Sequence, residues 1–388
     1  MDRENMKQLF EELYGKGEEP RLFFAPGRVN LIGEHIDYNG GLVFPAALTL
    51  GNYVMIRKNG TDMLNLAADD LPGVTAHAKL SELDSKRGKD WGAYQFGVVD
   101  ELMKAGKKVC GADMLFSSTL PFGAGLSSSA SIEVVTGYAM LELNGESMDM
   151  TELSLLTQRA ENKFVGVNCG IMDQFACANG EVDCGMLLDC ASVKSESVPL
   201  NLEGYSIVIG DTKKKRGLAD SKYNERRAEC ETALEILKKS EPKLNNLCEL
   251  SAERFYAIAD TITDETVRRR AEHVVCENDR VKSAARALAD KNIEEFGKLL
   301  NSSHYSLRDL YEVTGKELDA MTDISRKHPG CMGSRMTGAG FGGCTISIVK
   351  SEFVEEFIEN VRKEYREVTG LPGEIYVSTA GKGPHEIN

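Results

Sequence analysis

The chain has 388 residues, of which 42% are hydrophobic and 27% charged, and its formal net charge is -14. This length exceeds the size at which a single hydrophobic core stops growing, so two domains are expected. No stretch approaches the roughly 18 consecutive apolar residues of a membrane span, and residues 1–12 lack the apolar segment of a secretory signal, so we expect a soluble, cytoplasmic protein. The acidic balance argues against nucleic acid as a partner, because binding to phosphates draws on a basic surface.

Ten cysteines are scattered through the chain without a Cys-x-x-Cys pair. Five of them lie in small or apolar surroundings, namely Cys169, Cys177, Cys184, Cys190 and Cys344. Such cysteines behave as small hydrophobic residues. We therefore predict reduced core thiols, with neither disulfides nor a cysteine metal site.

Hydrophobic periodicity predicts a mixture of helices and strands, with no internal repeats and no long linker. The predicted strands are Leu42–Leu50, Tyr53–Arg57, Met114–Ser117, Met186–Asp189 and Tyr205–Gly210. The predicted helices are Trp91–Lys104, Ser127–Leu143, Glu152–Val165, Leu218–Lys239 and Asp264–Ala289. The segment Cys331–Ser378 is predicted to form strand, glycine loop, strand, helix and strand, in that order.

Residues 26–41 are rich in glycine and in polar side chains, and we interpret them as a ligand-binding turn, too polar and irregular for a core element. Arg28, Glu34, His35 and Asp37 lie between glycines in this segment. The carboxylates of Glu34 and Asp37 can accept hydrogen bonds, and the imidazole of His35 can donate or accept one. These groups suit a neutral polyol, whose hydroxyl groups each need a partner once water is excluded. A sugar is the first expectation. The alternative is that these residues only cap a turn, as Asp, Asn and Gly commonly do.

A second glycine-rich segment, residues 120–131, is predicted to join a strand to a helix. Gly123 and Gly125 allow the backbone to turn its amides inward, and the serines at 127–129 lie where a helix N-terminus exposes unpaired N–H groups. We therefore predict an anion site for a phosphate, where a serine hydroxyl can also ligate Mg²⁺. The segment lacks the Gly-x-x-x-x-Gly-Lys-Ser/Thr order of residues that defines a Walker loop. An ordinary serine N-cap is the alternative.

Asp173 lies in apolar surroundings, close to Ile171 and Phe175. A carboxylate in such a place is costly unless it has a partner. We predict that Arg28 is this partner and keeps Asp173 ionised, so that Asp173 can orient or deprotonate a sugar hydroxyl during attack on phosphorus. Glu161, on the preceding helix, is a candidate second ligand for an Mg²⁺ ion bound by a serine. For each carboxylate the alternative is a structural salt bridge or cap.

Two further segments have competing interpretations. The basic residues Lys213–Arg216 follow a predicted strand and either approach an anionic ligand or are simply solvated. The segment Gly338–Gly343 matches the Gly-x-Gly-x-x-Gly fingerprint of dinucleotide folds, but the residues after it, Cys344–Val349, alternate and are β-branched. A dinucleotide site needs a helix at this point. We therefore predict a hairpin whose glycines let the backbone approach another group closely, with a purely tight turn as the alternative.

The order of these three glycine-rich motifs resembles that of the galactokinase branch of the GHMP kinases, the family of small-molecule kinases that also holds homoserine, mevalonate and phosphomevalonate kinases. Residues 27–38 resemble the signature of this branch, residues 121–130 the phosphate loop of the whole family, and residues 338–343 its third motif. The similarity continues through residues 169–174 and 221–227, so most of the chain is covered.

The resemblance implies an α+β fold of two lobes with the active site in the cleft. The N-terminal lobe would be like domain 2 of ribosomal protein S5 and the C-terminal lobe ferredoxin-like, with expected bounds of 1–183 and 184–388. The implied reaction is transfer of the γ-phosphoryl group of ATP to the anomeric hydroxyl of α-D-galactose, the first phosphorylation step of galactose catabolism. Mg²⁺ would be required, and we expect a monomer whose partners are galactose and ATP.

The same resemblance implies a role for individual residues. Asp173 matches the catalytic aspartate, and Arg28 matches the arginine that pairs with it and stabilises the transition state. The positions that match sugar contacts are Glu34, His35, Ile36, Asp37, Gly170, Asp173 and Tyr223, with Ile36 standing where many relatives have threonine. The positions that match the loop around the ATP phosphates are Gly123, Ala124, Gly125, Leu126, Ser127, Ser128 and Ser129. The positions that match magnesium ligands are Ser129 and Glu161.

Three other functions stay open at this point. A kinase for N-acetylgalactosamine or another hexose would differ by only a few pocket contacts. A galactose-responsive regulator would keep the fold and the sugar site without catalysis, although intact Arg28, Asp173 and residues 127–131 argue against it. A nicotinamide oxidoreductase rests on Gly338–Gly343 alone and fails on the context of that segment.

Overall fold

The structure is a computed structural model that describes residues 2–88, 90–121, 123–214 and 219–388. Its helices are α1 (Arg3–Tyr14), α2 (Ala93–Lys104), α3 (Ser128–Asn144), α4 (Met150–Ala160), α5 (Met172–Ala178), α6 (Ala219–Leu237), α7 (Ala252–Ile258), α8 (Glu265–Ala289), α9 (Ile293–Ser306), α10 (Lys316–Lys327) and α11 (Val354–Thr369). Within the described ranges, no helix is both long and apolar enough to cross a membrane.

The strands are β1 (Arg21–Asn30), β2 (Leu42–Val43), β3 (Pro45–Lys58), β4 (Met63–Ala68), β5 (Thr75–Lys79), β6 (Ala112–Ser118), β7 (Cys184–Asp189), β8 (Lys194–Pro199), β9 (Tyr205–Asp211), β10 (Cys331–Thr337), β11 (Cys344–Lys350), β12 (Glu374–Ser378) and β13 (His385–Glu386). In the described residues they form three sheets. The N-terminal sheet has the order β13-β1-β3-β6-β4-β5, the C-terminal sheet β10-β11-β9-β12, and the small sheet β2-β7-β8. Strand β13, near the end of the chain, pairs with β1 and so returns to the N-terminal sheet.

Side-chain caps and glycines set the ends of several helices. The carboxylate of Asp149 accepts hydrogen bonds from the first backbone amides of α4, and Asp264 does the same for the long helix α8. Such caps satisfy N–H groups that have no partner within the helix. Gly145 and Gly370 end α3 and α11 in the left-handed conformation that favours glycine.

The two halves of the chain share buried contacts. One hydrophobic core lies between the N-terminal sheet and helices α2, α3 and α4. Another runs without a break from Val29 and Phe44 in the N-terminal half to Ile209 and Ile346 in the C-terminal sheet. Fully buried Arg335 adds a polar link, because its Nη1 donates to the carbonyl oxygens of the last residue of β1 and of Leu31, at 2.8 and 3.0 Å. These contacts fix the cleft that lies between the halves.

Part of the 26–41 prediction was wrong. Residues 26–30 are not an irregular turn but the end of strand β1, where every residue is buried. The polar side chains of this strand find buried partners, which a pattern based on hydrophobicity alone does not anticipate. The two predicted strands before and after Gly51 are joined in one continuous strand, β3, in which Gly51 lies directly against Phe24 and the carbonyl of Ala25. The first residues of the predicted strand Leu42–Leu50 are not part of β3, because Leu42–Val43 form the separate strand β2.

The remaining predicted elements are present, with ends that shift by a few residues. The predicted helix 152–165 begins earlier, at Met150, and its last turn is a π-helical segment, Glu161–Val165. The predicted hairpin is confirmed, since β10 and β11 pair in antiparallel fashion up to Thr337 and Cys344 around the glycine-rich turn. In the described residues no disulfide bond joins the ten cysteines, and seven of them are only partly buried rather than in the core. The division at residue 183/184 stays a prediction.

Helix α9 packs against strand β10 through two glycines, Gly297 on the helix and Gly333 on the strand. A Cβ atom added to Gly297 would lie 2.1 Å from the carbonyl oxygen of Met332. We expect Gly297→Ala to lower the free energy of unfolding by about 2 kcal/mol, because the backbone at Met332 cannot make room for the added methyl group. The gain in helix propensity is smaller than the cost of this clash. Urea denaturation measures this. Lys298→Ala, on the exposed side of the same helix, should stay within about 0.5 kcal/mol of the parent protein. Equal stability of Gly297→Ala and the parent would contradict this packing.

Candidate active site

A cleft of about 1050 Å³ lies between the two halves of the chain. Strand β1, the 33–41 loop, the start of helix α3 and the turn after β10 all contribute to its walls. Most of the site residues predicted from sequence line this cleft: Arg28, Glu34, His35, Asp37, Gly123, Ala124, Gly125, Leu126, Ser127, Ser128, Ser129, Glu161, Gly170, Asp173 and Tyr223. Segments that are far apart in the sequence therefore meet in one place.

The predicted pair of Arg28 and Asp173 is present and is bidentate. Nε and Nη2 of Arg28, on strand β1, donate to the two carboxylate oxygens of Asp173, on α5, at 2.9 and 3.1 Å. The remaining nitrogen, Nη1, donates to the carbonyl oxygen of Gly125 at 2.9 Å. Burial alone would lower the pKa of Arg28, but the charges of Asp173 and Glu34 outweigh it and raise this pKa. Arg28 is 4% exposed and the side chain of Asp173 is 32% exposed, so the carboxylate faces the cleft.

Glu34 and His35 are both held by the protein itself. The carboxylate of Glu34 accepts hydrogen bonds from Asn30 Nδ2 at 2.9 Å and from the backbone amide of Gly338 at 2.6 Å, with Arg335 Nη2 at 3.4 Å. The two ring nitrogens of His35 lie 2.9 Å from Tyr38 Oη and 3.1 Å from the carbonyl oxygen of Ala339. Both side chains are therefore fixed before any ligand binds.

Asp37 differs from these two residues because its surroundings offset little of the cost of burying a charged carboxyl group. Burial, and then the charge of Asp173, raises the pKa of Asp37 to about 7. Its Oδ2 packs so closely on Gly170 that a Cβ atom there would lie 1.9 Å from this oxygen. A side chain at position 170 would displace the carboxyl group of Asp37. Such a carboxyl group can accept hydrogen bonds from the hydroxyl groups of a ligand that enters the cleft.

Tyr223 closes one side of the same region. Its ring lies 5.5 Å from that of His35 and 5.3 Å from that of Tyr38, measured between centroids. Burial, and then the charge of Asp37, raises the pKa of Tyr223 well above its usual range. Tyr223 therefore offers a neutral phenol beside an apolar ring surface, which suits a neutral sugar.

The 123–129 loop has the conformation of an anion site. Gly123, Gly125 and Ser127 have φ angles of +70°, +77° and +60°, which turn the backbone sharply into helix α3. In the described residues, no side chain caps this helix and the buried hydroxyl of Ser127 has no hydrogen-bond partner. The alternative of an ordinary serine N-cap is thus wrong. The free N–H groups and the unpartnered hydroxyl fit the phosphates of a nucleotide.

A group of buried carboxylates lies beside this loop. Nε2 of Gln174 donates to Oε2 of Glu161 at 2.5 Å and to Oε2 of Glu133 at 3.2 Å, and the hydroxyl of Ser129 is hydrogen-bonded to Glu161. Burial, and then the charge of Asp173, raises the pKa of Glu161 to about 7. Burial and the neighbouring Glu161 raise the pKa of Glu133 well above its usual range. These carboxyl groups have too little positive charge around them.

The donor atoms of Ser129 and Glu161 fit a magnesium ion. A hydroxyl and a carboxylate oxygen are ligands of the type that Mg²⁺ prefers, and the ion usually completes its shell with substrate phosphates and water. Oε1 of Glu133 is buried without a hydrogen-bond partner among the described residues, which adds a free oxygen close by. Over the same ranges, no cluster of three or more His, Cys, Asp or Glu side chains could hold a metal by itself.

Other predicted residues have a different setting. Ile36 is fully buried in the hydrophobic core and its side chain does not line the cleft, so its role as a sugar contact stays a prediction. Lys213 and Lys214 do line the cleft, but their ammonium groups pair with carboxylates, Asp211 and Glu374 for the first and Glu317 for the second. The rest of this basic run, residues 215 and 216, lies outside the described residues.

Several residues that build the site were not predicted from the sequence. Gln174 donates to both Glu161 and Glu133, and Arg335 and His273 hold the 33–41 loop from the C-terminal half. The one available signal was Glu133, a carboxylate at an otherwise apolar helix position four residues after Ser129. The others look like ordinary surface or core residues in the sequence, because only folding brings them to the site.

Comparisons with known proteins agree with this geometry. The model of the galactokinase galactose-binding signature matches residues 8–58, and the models of the N-terminal and C-terminal domains of GHMP kinases match residues 93–181 and 284–367. The structure is similar to that of Lactococcus lactis galactokinase complexed with galactose, at 42% identity, 99% coverage of each chain and a TM-score of 0.96. It also has the fold of Methanococcus jannaschii mevalonate kinase, at 20% identity, 95% coverage of this chain and 100% of the other, and a TM-score of 0.69.

Fold and cleft together define a GHMP kinase. The chain is 48% identical to a galactokinase of Clostridium tetani over 388 residues, which cover 100% of this chain and 98% of that protein. It is 46% identical to a galactokinase of Bacillus subtilis over 387 residues, with 99% of each chain covered. Within the GHMP kinases, the chain belongs to the galactokinase family.

The raised pKa of Asp37 predicts a pH-dependent effect on stability. The folded protein binds this proton more tightly than the unfolded chain, so ionised Asp37 reduces stability progressively as the pH rises from about 4 to 7. Asp37→Asn removes the titration. We expect the substitution to stabilise the ligand-free protein more at pH 8 than at pH 5. The gain in the free energy of unfolding should be larger at pH 8 by about 1 to 2 kcal/mol. Asp62→Asn, an exposed control, should show no such difference in urea denaturation. A larger gain at pH 5 would contradict the assignment.

Proposed function

We propose that this protein transfers the γ-phosphoryl group of ATP to the anomeric hydroxyl of α-D-galactose. The observation that carries the proposal is the Arg28–Asp173 pair, whose carboxylate faces a cleft between the 33–41 loop and the 123–129 loop. Membership of the galactokinase family and the likeness to a galactokinase solved with galactose support the choice of sugar.

In the proposed reaction, O1 of galactose forms a bond to the γ-phosphorus as the bond from that phosphorus to the β–γ bridging oxygen breaks. Asp173 orients the O1 hydroxyl and accepts its proton, and Arg28 counters the negative charge that develops on the phosphoryl group. The products are ADP and α-D-galactose 1-phosphate. Most of the rate comes from alignment and charge stabilisation, because phosphoryl transfer needs little covalent chemistry from the protein.

The sugar would bind against the 33–41 loop. Glu34 and Asp37 offer carboxylate oxygens, Tyr223 offers a phenol, and Gly170 leaves the room that Asp37 needs. His35 has both ring nitrogens engaged, so we assign its contact, like that of Ile36, to the backbone.

The nucleotide would bind at the 123–129 loop, with its phosphates against the backbone amides at the start of α3. Ser129 and Glu161 would hold Mg²⁺ between the protein and those phosphates. When bound, Mg²⁺ neutralises phosphate charge and favours the in-line arrangement. All proposed site residues come from this one chain, so the site needs no second copy, and we propose that the protein acts as a monomer.

ATP as donor and cysteines that form no disulfide bond in the described residues support the cytoplasm as the site of action.

A substrate panel tests the proposal. Purified protein with Mg-ATP should release ADP with α-D-galactose, and kcat/KM should be at least about a hundredfold lower with glucose and with N-acetylgalactosamine. A higher kcat/KM with N-acetylgalactosamine would reassign the substrate. Galactose binding without release of ADP would indicate a regulator that has lost catalysis.

Replacing Asp173 tests its catalytic role. We expect Asp173→Asn to reduce kcat by at least about a thousandfold, while the Kd for galactose stays within about tenfold, because the amide keeps the shape but cannot accept the proton. Turnover in a coupled assay and calorimetric binding measure the two quantities. Asp309→Asn, an exposed carboxylate on the surface, serves as the control. Near-normal turnover of Asp173→Asn would remove this residue from the chemistry.

Replacing Glu161 tests the magnesium site. We expect Glu161→Gln to raise the Mg²⁺ concentration for half-maximal activity by about tenfold and to leave the Kd for galactose unchanged. Titration of activity with Mg²⁺ at saturating ATP measures the effect. An unchanged Mg²⁺ requirement would show that Glu161 is not a ligand.

A further inference from the structure

A continuous chain of hydrogen bonds runs from buried Cys230 to His35 and Ala339, which line the cleft. Cys230 Sγ lies 3.1 Å from Tyr311 Oη, which lies 2.8 Å from Tyr38 Oη. Tyr38 Oη lies 2.9 Å from Nδ1 of His35, and Nε2 of His35 lies 3.1 Å from the carbonyl oxygen of Ala339. We call these five residues the His35 chain. It connects helix α6 of the C-terminal half, through the 33–41 loop, to the turn at Gly338–Gly343.

The last acceptor fixes the direction of every bond in this chain. A backbone carbonyl can only accept, so Nε2 of His35 must carry the proton. Burial, and then the neighbouring His273, lowers the pKa of His35 to about 3, so the ring is neutral and Nδ1 must accept. Tyr38 therefore donates to Nδ1, Tyr311 donates to Tyr38, and the thiol of Cys230 donates to Tyr311. Burial raises the pKa of Cys230 to about 11, which keeps this thiol protonated.

A second histidine, His273, also holds the 33–41 loop. Nε2 of His273, on helix α8, lies 3.1 Å from the carbonyl oxygen of Glu34, and Nδ1 lies 2.8 Å from Ser306 Oγ. The ring of His273 packs against that of Tyr311, with 4.5 Å between centroids. Tyr311 is fully buried, so it supports the ring stack and the hydrogen bonds of the His35 chain together.

The backbone at His35 explains why such support is needed. His35 has a φ of +62°, in the left-handed region that non-glycine residues adopt at a cost. Its neighbours Glu34 and Asp37 point into the cleft, so a relaxed backbone at His35 would move both carboxyl groups. Ring hydrogen bonds on both nitrogens hold the residue in this conformation.

We propose that Tyr311 and Cys230 are positioning residues for sugar binding. Neither is among the described residues that line the cleft. They act through Tyr38 and His35, whose Nε2–H tautomer ties the 33–41 loop to the turn at Gly338–Gly343. This role rests on the proposed function, because it assigns the 33–41 loop to the sugar.

Tyr311→Phe tests the role in binding. Loss of its hydroxyl leaves the buried oxygen of Tyr38 without a donor, and we expect the KM for galactose to rise about fivefold. Values of kcat and of the KM for ATP should stay within about twofold of the parent protein. Tyr14→Phe is the matched control, since it removes a partly buried hydrogen bond of 2.9 Å to the carbonyl of Met114 at a distance from the cleft. It should lower the melting temperature without changing the KM for galactose. Equal changes in all kinetic constants of Tyr311→Phe would overturn the proposal.

Two further comparisons test whether the residues act as one chain. Cys230→Ser keeps a donor and should retain the parent KM for galactose, whereas Cys230→Ala should raise this KM about twofold. Tyr38→Phe removes the acceptor of Tyr311, so the double variant with Tyr311→Phe should have the same KM as Tyr38→Phe alone. Additive effects of the two tyrosine substitutions would show that they do not share a chain.

The tautomer can be measured without any turnover. In ¹⁵N NMR of the ligand-free, full-length protein labelled at histidine, the His35 ring should be protonated at Nε2 and unprotonated at Nδ1 at neutral pH. The signals are assigned by their loss in His35→Gln. A proton on Nδ1 would overturn the chain even if the substrate panel confirms galactose. Conversely, failure of the substrate panel would leave the tautomer result intact.

Discussion

The bidentate ion pair between Arg28 and Asp173 is the contact on which the geometry of the cleft depends. It joins strand β1 to helix α5, and the third guanidinium nitrogen binds the carbonyl of Gly125, so one buried cation positions a carboxylate and the 123–129 loop together. The same region buries Asp37 and Glu161, whose pKa values rise because burial and the charge of Asp173 disfavour ionisation. Truncating Asp173 leaves the buried guanidinium of Arg28 without its ion-pair partner, and an uncompensated buried charge costs several kcal/mol.

The N-terminal half supplies the 33–41 loop, but the C-terminal half holds it in place. Glu277 and Asn278, adjacent on helix α8, accept hydrogen bonds from the backbone amides of Gly33 and Leu42 at 3.0 and 2.8 Å. The amide of Gly338 donates to Glu34 across the same boundary. The loop therefore depends for its shape on the C-terminal half, and binding of any ligand to this loop is coupled to the packing of both halves. The need to hold the loop in place explains why polar groups that do not face the cleft are buried behind it.

Local sequence patterns predicted many elements, and their failures have identifiable causes. Helix α8 lies where hydrophobic periodicity predicted it, and the β-branched residues after Gly343 identified a hairpin where a fingerprint suggested a dinucleotide site. Residues 26–30 were mistaken for a turn, because the strand pattern assumes that buried side chains are apolar, whereas Arg28 and Asn30 have buried partners. Gly51 was mistaken for the end of a strand, because nothing in its local sequence shows that Phe24 and Ala25 leave no room for a side chain there.

By itself, the sequence determined the family, the three glycine-rich motifs and most of the residues that line the cleft, because these features depend on residue type and local spacing. It also indicated that Asp173 needs a cationic partner, since a carboxylate in apolar surroundings is costly alone. Only the tertiary structure decided which groups the site residues bind. It showed that both nitrogens of His35 are already engaged, that Gln174 donates to both Glu161 and Glu133, and that Ile36 points into the core. The physical reason is that hydrogen-bond partners and burial are set by contacts between segments up to about three hundred residues apart, such as Glu34 and Gly338, which no local pattern records.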